Sequence, residues 1–258
     1  MARSGERAYC GIDRSAVFPA LPLSANGCRS SHADDIPLDL WTAFNKDDLR
    51  DIIALSLGVS LSATVLAALL GLPLGGILAV YKFPGRRPLT ILLNGLLGLP
   101  PVVVGLTLYL LLSRSGPLGW LGLLFTPGGM VLAQATLATP IIGALAHRAL
   151  QAPWHEYGDA LLVDGASRLR TIPMLLVIAR PPVLTAVLAG FGRTISEVGA
   201  ILIVGGNIAG YTRTMTTTIV LETSKGNLPV AVGLGLVLIG LSIAVSATGF
   251  MLGEKGDR

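Results

Sequence analysis

Charge is what this sequence has least of. Charged residues make up 13% of its 258 residues, against about 25% in a soluble domain. So few polar groups do not cover a water-facing surface. Aromatic residues are also scarce, at 5%. The only cysteines, Cys10 and Cys28, lie in the polar first fifty residues. Two lone cysteines neither demand a disulfide nor supply a metal site. No Gly-x4-Gly-Lys-Ser/Thr run occurs, so the chain has no phosphate-binding P-loop and any ATP-derived energy must come from another polypeptide. No Ser-His-Asp or Cys-His arrangement stands out, and the chain is not expected to be an enzyme by itself. His147, His155 and Glu156 fit no common metal spacing, so neither a metal nor another cofactor is expected. The formal net charge is +4, but the basic residues are not gathered on one face or tail, so no nucleic-acid partner is expected.

Apolar residues fill the place of the missing charge. They form 52% of the chain, and the mean hydropathy is +0.70. Gly (32) and Pro (16) are abundant, as they are in transmembrane helices. The lipid bilayer is the natural solvent for such a composition. Residues 1–37 read as a disordered N-terminal extension. Their apolar run Ala16–Leu23 is broken by Pro19 and Pro22 and is too short for a signal-peptide core. Leu38, Leu40, Trp41 and Phe44 suit a short interfacial helix leading into the membrane. A transmembrane domain over 38–252 then carries apolar runs at about 52–80, 89–112, 130–146, 183–204 and 228–251, before a tail at 253–258. The runs do not alternate, which excludes a β-barrel pattern. Helices are the remaining way to satisfy backbone groups in lipid. The expected fold class is an all-α polytopic membrane protein of about five transmembrane helices. Gly71, Pro73, Gly75 and Gly76 suggest that the first span bends or unwinds at its end, and Pro100-Pro101 suggests a kink in the second.

Lys and Arg set the orientation. Lys82, Arg86 and Arg87 follow the first run, Arg148, Arg168, Arg170 and Arg180 lie between the third and fourth, and Lys255 and Arg258 end the chain. With five spans these segments share one side, and only Arg114, Arg213 and Lys225 lie opposite once the N-terminal segment is set aside. The positive-inside rule places the richer side, and the C-terminus, in the cytoplasm, and the N-terminus outside. The basic residues before the first span weigh mildly against this.

The segment 153–182 is long for a connection and is not a polar linker. Glu156, Asp159, Ala160, Leu161, Leu162, Asp164, Gly165, Ala166, Ser167 and Arg168 suit a short amphipathic helix, a tight turn and a second helix start. A helix offered from the membrane face suits a partner's groove. Asp159-Ala160-Leu161, three residues, then Gly165-Ala166-Ser167 resembles the EAA loop of binding-protein-dependent ABC importer permeases. Asp stands for the family's Glu, and Leu161 for its second Ala. Leu99-Pro100-Pro101-Val102-Val103-Val104-Gly105, Ser113–Gly119, Gly192–Ala200 and Val204–Ile208 are similar to the molybdate, sulfate and tungstate permease group. Gly210–Thr214 and Ile219–Asn227 look most like its tungstate branch. The resemblance covers about residues 45–252.

The resemblance implies a type I ABC importer permease fold and an inner-membrane location. It implies that Asp159, Ala160, Leu161, Gly165, Ala166 and Ser167 couple the chain to a cytoplasmic ATPase. It also implies an extracytoplasmic oxyanion-binding protein as partner. A second copy is expected, because five spans are few to enclose a pathway.

Arg193 and Glu197 are the strong charges inside a span, four residues apart and so on one helical face. Two readings stand: a structural ion pair, or an Arg193 on the anion's route held by Glu197. Gln134, Thr136 and Thr139 precede Pro140, which frees a backbone carbonyl. They line the pathway or simply bond across helices. Thr212-Arg213-Thr214 and Thr216-Thr217-Thr218 suit an oxyanion, or equally an outer helix. Two rival classes remain: a secondary transporter, for which the chain lacks an evident repeat, and a structural assembly subunit, which would not need the motif-bearing segment.

Overall fold

The structure, a computed structural model, describes residues 46–255, with side chains from Leu49 to Met251. The expectations for residues 1–37, for the interfacial helix at 38–44 and for residues 256–258 of the tail lie outside the described residues. Among those described there are nine α-helices and no strand. They are α1 (Lys46–Val80), α2 (Arg86–Gly95), α3 (Pro101–Leu112), α4 (Pro127–Val163), α5 (Arg168–Ile178), α6 (Arg180–Ile195), α7 (Gly199–Gly205), α8 (Met215–Ser224) and α9 (Leu228–Lys255).

Helices α1, α4 and α9 are each long and apolar enough to cross a bilayer. Two further crossings come from bent pairs. Residues 86–98 and 101–112 meet at 102°, and α5 and α6 meet at 85°. Counting each pair as one gives up to five spans. The kink expected at Pro100-Pro101 is therefore close to a right angle. Pro100 is the N-cap of α3 and Pro101 its first residue, positions that need no backbone N–H.

The end of the first run, where the glycines suggested a bend or an unwinding, stays helical. Helix α1 continues through Pro73 to Val80. Gly71 and Gly75 are instead where α4 comes closest. A Cβ on Gly71 would stand 3.0 Å from the Thr139 carbonyl oxygen, and one on Gly75 2.6 Å from that of Gly143. Small residues four apart let two helix backbones meet, and this contact drives helix association in lipid. Ala67, Ala138 and Ile142 pack just beside this crossing.

Helix α4 also outruns its expected span of 130–146. Pro140 and Pro153 lie inside it, yet it stays helical for 37 residues. At 1.5 Å per residue it is about 55 Å long, against about 30 Å of hydrocarbon. Its far end therefore projects beyond the membrane. The apolar run 183–204 is interrupted as well: α6 stops at Ile195 and α7 begins at Gly199.

Candidate functional site

The turn after α4 is built by local chemistry. The Gly165 amide donates to the Leu162 carbonyl at 3.1 Å, and the Ala166 amide to the Leu161 carbonyl at 3.1 Å. This pair of bonds is a Schellman motif, which needs a left-handed residue after the C-cap. Gly165 supplies it at φ +85°. Ser167 then caps α5, its Oγ accepting from the Arg170 amide at 3.4 Å. The segment is thus the end of a long helix, one glycine turn and a new helix. Asp159, Ala160, Gly165 and Ser167 are exposed, and Leu161 and Ala166 half-buried. Leu161 and Trp154 pack on a cluster of Ala79, Val80, Leu150, Ile172, Leu175 and Ala179. That cluster fastens the turn to the end of α1. Val163 is 87% exposed, and Leu169, Met174 and Val177 are exposed beside it.

A second group of residues meets at the break between α6 and α7. Glu197 is 3% exposed. Its Oε2 lies 3.3 Å from Arg193 Nη2, and its Oε1 accepts from the Ala200 amide at 3.1 Å. One carboxylate thus joins the last turn of α6 to the first of α7. The Thr194 carbonyl accepts from the Glu197 amide at 3.2 Å and from Gln134 Nε2 at 2.8 Å. Gln134, also buried, keeps its Oε1 without a hydrogen-bond partner. Arg193, Glu197 and Gln134 are therefore gathered around one interruption of the backbone.

Thr139 and Pro140 are not part of that group. The Thr139 hydroxyl donates to its own helix, at the Ala135 carbonyl, 2.7 Å away. Thr136 does the same to Leu132. Both residues lie further along α4, Thr139 beside Gly71 of α1. The threonine hydroxyls of the α7–α8 connection are engaged within the segment itself. Thr212 Oγ1 donates to the Gly205 carbonyl and accepts from the Ile208 amide. Thr214 and Thr217 form the capping box of α8, and Thr218 donates to the Thr214 carbonyl. All are buried. Their hydroxyls close a turn and a helix end.

Three residues that pattern reading passed over complete the seam. Thr64 of α1 donates to the Ser60 carbonyl at 2.7 Å, and its Oγ1 stands 3.0 Å from that of Thr194. Ser56 accepts from the Met215 amide at 2.8 Å, which ties α8 to α1. Ser56, Ser60 and Thr64 repeat every four residues on one face of α1. That spacing was the available signal, although in an apolar helix hydroxyls more often bond only to their own backbone.

The basic residues separate along the bundle. Lys82, Arg86 and Arg168 line one cavity beside Ala79 and Val80 at the end of α1. Arg213 lines another with Asp51 and Ile52 at its start.

Comparison with known proteins agrees with this architecture. The family described as "binding-protein-dependent transport system inner membrane component" matches residues 71–253. A probable anion ABC transporter permease protein of Haloferax volcanii is 42% identical over 206 residues, covering 78% of this chain and 89% of that protein. The tungstate uptake system permease protein TupB of Peptoclostridium acidaminophilum is 39% identical over 218 residues, covering 84% and 95%. The molybdenum transport system permease protein ModB of Escherichia coli is 31% identical over 208 residues, covering 72% and 89%. With its apolar helices, its two bent pairs and its helix–turn–helix beyond the membrane, the chain belongs to the binding-protein-dependent transport system inner membrane components, the type I ABC permease fold.

Proposed function

We propose that this chain is the membrane-spanning subunit of an ATP-driven oxyanion importer, with tungstate as its cargo. The observation that carries the proposal is the glycine turn at the projecting end of α4, which offers an exposed docking edge joined rigidly to a transmembrane helix. A push on that edge reaches the bilayer centre through α4, because one continuous helix links Val163 to Gln134. Gln134 in turn holds the α6–α7 break at Thr194.

In this reading Asp159, Ala160, Leu161, Gly165, Ala166 and Ser167 seat a cytoplasmic ATPase. A second copy of the chain completes the pathway. An external binding protein delivers the anion to the end that carries Arg213, so the N-terminus lies outside and the C-terminus in the cytoplasm. ATP binding draws the two ATPases together and rocks the bundles outward, and hydrolysis resets them. Tungstate is favoured because TupB is similar over nearly its whole length. Tungstate and molybdate are nearly isosteric, and the binding protein makes most of the choice between them.

The test is uptake in vesicles that contain the permease, its ATPase and its binding protein, with tungstate, molybdate and sulfate each supplied. The expected result is tungstate uptake that needs ATP and all the components. Uptake that persists without any ATPase would assign the chain to secondary transporters.

A further inference from the structure

The cavity at the end of α1 borders the proposed docking turn through Asp159, but it gathers cations to which the transport cycle gives no role. It has a volume of about 370 Å³ and is lined by Lys82, Arg86, Gln151, His155, Asp159 and Arg168, among others. A second cavity adjoins it, sharing Lys82, Arg86 and Gln151 and adding Arg87, Thr90 and His147. Cations thus converge from the α1–α2 loop, the start of α2 and the start of α5. Asp159 is the one acidic residue in either lining. The ion pairs among the described residues, Arg193–Glu197 and Lys225–Glu222, lie elsewhere. Lys82, Arg86 and Arg168 therefore line the space without an ion-pair partner among the described residues.

Like charges brought together in a partly enclosed space repel one another, and a bound anion removes that cost. Guanidinium groups pair in bidentate fashion with the oxygens of a phosphate-like group. Gln151 and His155 stand among the cations, Gln151 Nε2 lying 3.0 Å from His147 Nε2, while the Thr90 hydroxyl donates to the Arg86 carbonyl. We propose that this joint is an anion site that takes a phosphate-like tetrahedral group, supplied by an anionic lipid headgroup at the membrane surface or by a free oxyanion. An anion there bridges Arg168, the first residue of α5, to Lys82 and Arg86 beyond the end of α1. It ties the turn at Gly165 to the transmembrane bundle beside Ala79 and Val80, the cluster on which Leu161 packs. The site depends on the proposed orientation only for its cytoplasmic placement, and its chemistry holds whichever cargo is carried.

The experiment uses the purified permease–ATPase complex in neutral detergent and reads binding directly, so failed uptake would not be mistaken for failed binding. Retained phosphatidylglycerol is measured by native mass spectrometry, and inorganic phosphate binding by equilibrium dialysis. The comparison is with Lys82→Gln, Arg86→Gln and the double variant, with Arg114→Gln as a control that removes equal charge at the other end. Each cation removed should weaken binding about five-fold, and the double variant about 25-fold. Arg86→Lys should retain part of the binding and Arg114→Gln all of it. Loss of lipid alone identifies the headgroup as the source, and loss of phosphate alone identifies a free oxyanion. If the double variant folds poorly, the two single variants decide. Equal retention of both anions by wild type and variants would overturn the proposal. So would loss of ATPase co-purification with anion binding unchanged, which would assign the cavity to the ATPase.

Discussion

Gln134 and Thr194 lie sixty residues apart in sequence and share a 2.8 Å hydrogen bond at the point where α6 ends. In an unbroken helix the Thr194 carbonyl would accept from the amide four residues on. Here the chain turns too early, and the carbonyl takes the Glu197 amide and the Gln134 side chain instead. A side chain from α4 therefore stabilises the interruption of α6.

Replacing Gln134 by Leu removes that donor and leaves the carbonyl one partner. The expected loss is about 1 kcal/mol, the net worth of one hydrogen bond, read as a lower thermal midpoint in detergent. Uptake should fall by more than that loss explains if the break moves during transport. An unchanged midpoint would mean the bond contributes nothing to holding α4 against α6.

The Glu197 side chain is 2% exposed and that of Arg193 33%. Removing Arg193 leaves a buried carboxylate with one amide donor, so Arg193→Gln should destabilise more than Glu197→Gln. Partners of buried pairs cost about 3–5 kcal/mol when lost, and the exposure of Arg193 brings the expectation down to about 1–3 kcal/mol. Exchanging the two charges separates the roles. Restored uptake marks a structural pair, while restored stability without uptake places Arg193 on the anion's route.

At the α1–α4 crossing, a Cβ on Gly75 would meet backbone atoms of α4 at 2.6 and 2.8 Å. Backbone cannot turn aside as a side chain can. Gly75→Ala should cost about 1–3 kcal/mol through forced separation of the helices. Gly58 of the same helix has nothing within 4 Å of its Cβ position, so Gly58→Ala should leave the chain's own packing intact. Equal midpoints for the two variants would contradict the close crossing.

Gly165 has open space around its Cβ position but a φ of +85°. Gly165→Val should therefore act through strain, at about 1–2 kcal/mol. The expected outcome is normal membrane insertion with lost ATPase co-purification, and a milder defect for Gly165→Asn, which tolerates the left-handed region. Normal co-purification of the valine variant would remove the docking assignment.

Glu222 gives the connection before α9 a pH dependence. The Lys225 ammonium, 2.8 Å from its carboxylate, holds it below the usual glutamate range, with help from Asn227 at 3.1 Å and against the opposing effect of burial. A carboxyl with a lowered folded value stabilises the fold above the ordinary range. That stabilisation is lost as pH falls from about 4.3 through the folded value. Glu222→Gln should flatten the acid limb of the thermal midpoint against pH. An unchanged limb would show that the group does not contribute.

Much of the architecture was legible from composition. The first and last apolar runs match α1 and α9 closely, because a long apolar stretch in lipid has no alternative to a helix. The kink of the second run was legible in Pro100-Pro101, though not its size; the fourth run was harder to read, since apolar content says nothing about a break at Ser196. The third run, expected at 130–146, lies within a longer helix. Arg148, Gln151 and His155 look like the end of a span, yet α4 simply carries them out of the membrane. The turn at Gly165 was visible because it answers a local backbone demand. The seam of Ser56, Ser60 and Thr64 was not, because its partners come from α6 and α8.

The sequence by itself determined that this protein lives in a bilayer, is helical, and carries most of its cations in a few connecting segments. Each of those follows from what a segment can do alone: its transfer into lipid, its own hydrogen bonds, its own charge. Only the tertiary structure decided that Gly71 and Gly75 are a crossing rather than an unwinding, and that Gln134 completes a broken helix. The same holds for the meeting of Lys82, Arg86 and Arg168 around one cavity. Those are properties of distances between residues far apart in the chain, and the approach of two helices, which no single segment encodes, sets them.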